Sequence, residues 1–350
     1  MSERRARLVY NALPLSPSGG GVSTYIRELL RAMPTAVDAA LAAAVHPDAT
    51  TLLADGVDPI VRPESRGLRR ALRGLGGFGP ADLVHGLDVD LPLVPRAPTV
   101  ATVHDLAVFD VPEWFPRHRA VGERLLVAQS LRRADAVVAV SAFTAERVRD
   151  RFGREATVVH SAPATGMAPA TDAAVAAVRD RYGLPARFCL HVGNIEPRKD
   201  LSTLASACRE VALPLVLTGH PLWGHLPPRG TMSLGHVPGS DLPALYGAAT
   251  VVGYASRYEG FGLPPVEAVA CGAAVVTTPV PAVVEVLGDG VATFHPADVE
   301  GLARTLRELV ADADGRTELA RRGAERLSTL TWSNTAARTS DVYRTVGLSV

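Results

Sequence analysis

Short apolar runs recur along the chain, and between them lie longer stretches in which apolar residues return at every third or fourth position. An apolar run bounded by turn residues reads as a buried strand, and the three-to-four spacing reads as one face of a helix. In the first half the strand candidates are RLVYNAL (7–13), ADLVHG (81–86), PTVATVHD (98–105), DAVVAVS (135–141) and ATVVHS (156–161). Helices are expected among them at VSTYIRELLRAM (22–33), RHRAVGERLLVAQSLRRA (117–134) and AFTAERVRDRF (142–152). Strands alternating with helices predict a parallel sheet, because parallel neighbours need a crossover and a helix supplies it.

The rhythm breaks at APATGMAPATD (162–172), which has no apolar period and reads as a linker. It restarts with strands at RFCLHVG (187–193), PLVLTG (214–219), TVVGYAS (250–256), AAVVTT (273–278) and VATFH (291–295). Helices follow near 298–312 and 315–329, and SNTAARTSDVYRTV (333–346) predicts one more. A chain of 350 residues is too long for one ordinary core, so the expectation is two Rossmann-like α/β domains with a cleft between them. No repeat of 20 to 50 residues is visible, which excludes a solenoid.

Composition narrows the function classes. With 36 Lys plus Arg against 36 Asp plus Glu the formal net charge is zero, so no overall field draws the chain to nucleic acid. Phosphate recognition must then rest on a few placed residues. Cys189, Cys208 and Cys271 are scattered without CxxC or His/Cys ligand spacing, which argues against a disulfide framework or a zinc site and fits a reducing cytoplasm. The start MSERRARLVY runs straight into a strand pattern with no signal-peptide core, and no apolar run approaches the roughly 20 residues that span a bilayer. A cytoplasmic protein, at most peripheral at the inner membrane face, is expected.

Ligands of open parallel sheets sit at the carboxyl ends of strands, in the loops that lead to helices. The first such loop, SPSGGGVSTY (16–25), carries three glycines whose amides can approach an anion at a helix start. It is neither a Walker loop, lacking Lys-Ser/Thr, nor GxGxxG, since Thr24 stands where the third glycine belongs. The second, GNIEPRKD (193–200), holds Arg198 beside Lys199, the only lysine in the chain. Arginine offers a planar fork and lysine a compact point charge, and together they suit a diphosphate; a solvated basic turn is the plain alternative. In the third, SRYEGFGLPPVEAVACG (256–272), Glu259 and Glu267 stand eight positions apart with Gly260 and Gly262 between them. Pro264-Pro265 marks a helix start, which puts Glu259 in the loop and Glu267 in the first turn, where the dipole favours an anion. The glycines are expected to expose the amides of Gly260, Phe261, Gly262 and Leu263. Carboxylates and amides in this arrangement suit a polyhydroxylated, anionic ligand.

EGFGLPPVE resembles the E-x7-E signature of glycosyltransferase family 4, and VGNIEPRKD resembles that family's strand-end diphosphate loop. GGGVSTYIREL, VHDL (103–106), VSAFTAERV (140–148), GHVPGSDLPALYGAA (235–249), CGAAVVTT and TWSNTA match in the same order, so the resemblance spans essentially the whole chain. It implies a GT-B fold: residues 1–165 as an acceptor-side domain, 166–330 as a domain binding the nucleotide sugar, and 331–350 as a helix crossing back to the first. The implied reaction moves a hexose, mannose or rhamnose among the options, from a nucleotide diphosphate sugar to a hydroxyl acceptor such as a cell-envelope glycan or natural product. Configuration is retained, and neither a metal nor a cofactor is required. Carried over by motif, Arg198 and Lys199 neutralise the departing diphosphate, which the Gly20–Gly21 amides close over from the other domain. Glu259 faces the donor sugar, Glu267 receives ribose hydroxyls, and Asn194, Gly260, Phe261, Gly262 and Leu263 line the donor. Val237 lies against the base, and His104 matches the family's histidine near the transferred sugar. Asn194 stands where many relatives carry Arg, Ala255-Ser256 replaces Pro-Ser, and CGAA replaces CGTP; these departures bear on donor-sugar selectivity.

Other readings compete. Asp88-Val89-Asp90 is a DxD sequence, as in metal-dependent GT-A transferases, but that reading leaves the C-terminal motifs unexplained. A GT-B-shaped epimerase or hydrolase would act on the donor without an acceptor, against the match at His104, and a non-catalytic binder would not need Glu259, Glu267 and Lys199 together. The stretch holding Arg62, Arg66, Arg69, Arg70 and Arg73 reads as a solvated helix face, with anionic lipid or a phosphorylated acceptor as the other candidate.

Overall fold

The computed structural model describes residues 5–64 and 77–348, so Arg66, Arg69, Arg70 and Arg73 lie outside the described residues. The chain divides into two units, one of Met1–Ala162 with Leu330–Val350 and one of Pro163–Thr329.

In the first unit β1 (Ala6–Asn11), β2 (Ala39–Val45), β3 (Val57–Val61), β4 (Leu83–Gly86), β5 (Thr99–Val103), β6 (Ala136–Ala139) and β7 (Thr157–Val158) form one parallel sheet in the order β3-β2-β1-β4-β5-β6-β7. β2 and β3 are absent from the sequence reading. The β2 segment AALAAAV carries the best helix former at most positions, yet it pairs along its length with β1, Leu8 opposite Leu41, and is buried at all but one position. Burial between two neighbouring strands overrides propensity there.

The terminal helix Trp332–Thr345 belongs to this unit. Its Trp332 meets Tyr25 edge-on at 5.7 Å, and Thr335 Oγ1 donates to the His160 carbonyl at 2.8 Å. Its Tyr343 hydroxyl lies 2.8 Å from His85 Nδ1, while His85 Nε2 lies 2.8 Å from Thr102 Oγ1. Both nitrogens of a fully buried imidazole are thus satisfied, and burial, with His104 nearby, pushes its pKa down to about 3. Below the ordinary His value of ~6.5 the unfolded chain takes up a proton that the folded chain excludes, so stability falls as pH drops from there towards about 3. His85→Gln is expected to flatten the dependence of unfolding free energy on pH by ~1.4 kcal/mol per unit over that window, read from urea titrations at several pH values. An unchanged slope would contradict it.

In the second unit β8 (Cys189–Val192), β9 (Leu215–Thr218), β10 (Met232–Ser233), β11 (Val251–Tyr254), β12 (Val275–Thr277) and β13 (Ala292–Thr293) form a parallel sheet in the order β10-β9-β8-β11-β12-β13. Leu204 of the helix Leu201–Glu210 packs into the core beside Cys189 and Leu215, with Leu302 and Leu306 of the helix Val299–Ala311. Both sheets reverse their order next to the first strand, at β1/β4 and at β8/β11. In doubly wound sheets the crevice at that reversal is where ligands bind. Among the described residues no helix is long and apolar enough to cross a membrane.

Candidate active site

The loops that follow β8 and β11, adjacent strands at the order reversal of the second unit, carry the charged residues singled out above. After β8 the chain turns at Gly193 (φ +149°), passes Asn194, and forms a single 3-10 turn over Pro197–Lys199. Asp200 adopts φ +42° before the helix Leu201–Glu210 begins. The proline suits the first position of that turn, whose amide needs no partner. After β11 the chain runs through Ser256, Arg257, Tyr258 and Glu259 to the helix Leu263–Ala270.

The two loops meet through charge. Lys199 Nζ donates to Glu259 Oε1, and Arg198 Nη1 donates to Glu259 Oε2 at 2.8 Å and to the Tyr258 carbonyl at 3.1 Å. Arg198 Nη2 reaches Glu196 Oε1 at 2.8 Å, an acid the sequence reading passed over. Two cations and two carboxylates thus balance in a space where Lys199 is only 5% exposed and Glu259 8%. Burial works to raise the Glu259 pKa, but the Lys199 and Arg198 cations overcome it and hold the carboxyl at about 2. Burial and then the Arg198 charge lower the pKa of Lys199, against the pull of Glu259 and Glu196. Glu259 is therefore a carboxylate at any physiological pH, engaged at both oxygens.

Beneath this cluster lies His191 on β8, fully buried, its Nδ1 3.0 Å from the Gly253 carbonyl. That contact requires the proton on Nδ1 and leaves Nε2 as an acceptor, which has no partner among the described residues. A side chain at Gly193 would come within 3.4 Å of this Nε2 and 3.9 Å of Lys199 Cε. Burial pushes the His191 pKa down to about 4, so the ring is neutral above that.

The Glu259-to-Glu267 segment differs from its sequence reading in where the helix begins. The helix starts at Leu263, capped by Gly262 at φ +89°, so Glu267 is the fifth helical residue and lies past the first turn. Gly260, Phe261, Gly262 and Leu263 are buried, where the left-handed turn folds the loop against the helix Pro281–Leu287. A Cβ on Gly262 would sit 2.5 Å from Val283 Cγ2. Gly262→Ala is expected to cost roughly 2 kcal/mol or more, from left-handed strain and overlap together. Val283→Ala should recover the overlap part, as read from denaturant midpoints; a parent-like midpoint for Gly262→Ala would contradict this.

The remaining predicted residues are spread over both units. Val237 is buried in the loop after β10, with Thr218 Oγ1 and the Gly219 amide both donating to the Gly235 carbonyl nearby. In the first unit the glycine loop is ordered by a reciprocal pair: Ser16 N donates to Ser23 Oγ at 3.0 Å, and Ser23 Oγ donates to the Ser16 carbonyl at 2.9 Å. Gly20 caps the helix Gly21–Ala36, and both glycines are exposed. His104 follows β5; its Nε2 donates to the Leu87 carbonyl at 2.8 Å and its ring meets Tyr25 of that helix at 4.7 Å. Asp88 and Asp90 follow β4, with Val89 at φ +47° between them.

Two family models match the chain: Glycosyl transferases group 1 over residues 181–326 and Glycosyltransferase Family 4 over residues 19–163. The chain is 31% identical over 283 residues to the O-antigen chain mannosyltransferase B of Escherichia coli, covering 75% of this chain and 74% of that one. It is 33% identical over 289 residues to a D-inositol 3-phosphate glycosyltransferase of Salinispora arenicola, covering 72% of this chain and 63% of that protein's length. Among solved structures it resembles HepE of Anabaena in complex with UDP and glucose, with a TM-score of 0.77 over 99% of this chain and 100% of that one. At 19% identity that likeness speaks for the fold.

Proposed function

This chain belongs to glycosyltransferase family 4 and is a hexosyltransferase of GT-B fold, and on that premise we propose that it moves a hexose from a nucleotide diphosphate sugar to a hydroxyl acceptor with retention of configuration. The observation that carries this reading is the meeting of Arg198 and Lys199 with Glu259 at the order reversal of the second sheet. Breaking the bond from the anomeric carbon to the diphosphate puts growing negative charge on the leaving oxygens, and fixed cations beside them lower the barrier. Arg198 and Lys199 supply such cations, each charge-assisted hydrogen bond being worth ~1.5–3 kcal/mol. Glu259, held ionised by the same pair, offers negative charge to the sugar as it takes on oxocarbenium character.

The donor exchanges partners within a neutral cluster. As the diphosphate enters, the two cations turn from Glu259 to the phosphate oxygens, and the carboxylate is released to the sugar. In this reading Glu267 and the loop Gly260–Leu263 line the donor, and Val237 lies by its base. The mannosyltransferase relative puts mannose first among the donor sugars, and HepE, described with UDP and glucose, keeps a uridine donor in view.

Incubation with GDP-mannose, UDP-glucose and a dTDP-hexose, each with a set of hydroxyl acceptors, tests the reading. NMR of the product should show the anomeric configuration of the donor; an inverted product, or free sugar released with every acceptor, would overturn it.

A further inference from the structure

We propose that Arg257 and Asp200 act together as a positioning pin, holding the Arg198–Lys199 turn in register with Glu259 while those cations change partners; this rests on the donor reading above. Arg257 stands two residues before Glu259 and grips the turn at both ends. Its backbone N–H donates to the Arg198 carbonyl at 2.8 Å. Its guanidinium donates twice to Asp200 Oδ2, from Nε at 2.9 Å and Nη2 at 2.7 Å, while Ser202 Oγ donates to Asp200 Oδ1 at 2.9 Å. Lys199 lies between the two gripped residues.

The other polar bonds described between these loops come from the side chains that a diphosphate would recruit: Arg198 to Glu259 and to the Tyr258 carbonyl, and Lys199 to Glu259. When phosphate oxygens take those cations, the bonds that tie the loops in the free protein are given up. The Arg257 bonds involve neither cation's side chain and persist through the exchange. Asp200 suits the task, because its carboxylate is 7% exposed and aspartate tolerates the left-handed backbone of φ +42° found there. Two N–H donors of one rigid guanidinium edge converging on Oδ2 also fix its direction, which a single lysine contact would not.

The test is Arg257→Gln, Asp200→Asn and the double variant, followed by steady-state transfer, calorimetric titration with a nucleoside diphosphate, and melting. Asparagine retains the left-handed tolerance, so the fold survives. Each single change is expected to lower kcat about tenfold to a hundredfold, the cost of slight misplacement of reacting groups. The double variant should be no slower than the worse single, as coupled partners require. Arg257→Lys should recover part of the rate. A purely structural pair would lower the melting temperature and leave kcat per folded molecule unchanged, and that result overturns the pin. Singles whose losses multiply in the double overturn it equally. A parent that neither transfers sugar nor binds nucleoside diphosphate overturns the donor reading and the pin together, whereas an active parent matched by Arg257→Gln overturns the pin alone.

Discussion

Lys199→Ala is expected to slow sugar transfer about a hundredfold to a thousandfold, the range seen when one fixed donor is removed from a developing anion. The loss should appear in kcat as well as in kcat/KM, because the charge it meets grows during bond breaking. Lys199 is the chain's only lysine among 36 Lys and Arg residues, and its site explains the exception. It is 5% exposed and shares one carboxylate with Arg198, which already occupies Oε2. A second planar fork beside the first would have to displace either Arg198 or Glu259, whereas a compact ammonium fits and can rotate towards a phosphate. Lys199→Arg should therefore keep the charge and still lose at least about tenfold in rate, ~1.4 kcal/mol of transition-state free energy. Parallel turnover and melting measurements separate this from unfolding. An arginine variant as fast as the parent would show that charge alone is needed.

Glu259→Gln should move two properties in opposite directions. Amide for carboxylate keeps the shape and removes the negative charge with which a phosphate would compete for Lys199 and Arg198. Nucleoside diphosphate should then bind about tenfold tighter, ~1.4 kcal/mol, while transfer falls about a hundredfold or more for want of the negative charge facing the sugar. Removing one partner from a buried ion pair costs ~3–5 kcal/mol in stability, so the free variant should melt below the parent and regain much of the difference when diphosphate is bound. Calorimetry and turnover on one preparation read both effects. Weaker diphosphate binding in this variant would mean that Glu259 helps to hold the phosphates rather than competing for their cations.

Much of this site was legible in the sequence because its parts are local. RFCLHVG and TVVGYAS are apolar runs ending in turn residues, and the loops after them hold Arg198, Lys199 and Glu259 within a few positions of each strand end. What was not legible depends on pairing across the chain. Arg257 and Asp200 are 57 positions apart, and neither marks itself as the other's partner. His191 reads as one more position in a buried strand, and only the position of Gly253 shows which nitrogen lacks a partner. Glu196 closes the neutral cluster, but only the fold of its turn brings it onto Arg198, two positions on, so a lone acid before Pro-Arg-Lys carries no signal of its own. Glu267 lies one position further into its helix than the proline pair implies, because the left-handed cap at Gly262 starts that helix at Leu263 rather than Pro264. The β2 strand was hidden for a different reason, since a run of alanines has no local preference for a sheet and is extended only because β1 and β3 flank it.

We propose that the Arg198–Lys199 pair, rather than a metal ion, neutralises the diphosphate. Calorimetric titration of a nucleoside diphosphate and the matching nucleoside into the parent and Lys199→Ala, all in EDTA, tests it most directly. The parent should bind the diphosphate in the presence of chelator, and Lys199→Ala should bind it at least about tenfold more weakly with unchanged affinity for the nucleoside. Binding abolished by EDTA, or a diphosphate affinity in Lys199→Ala equal to the parent's, would contradict it.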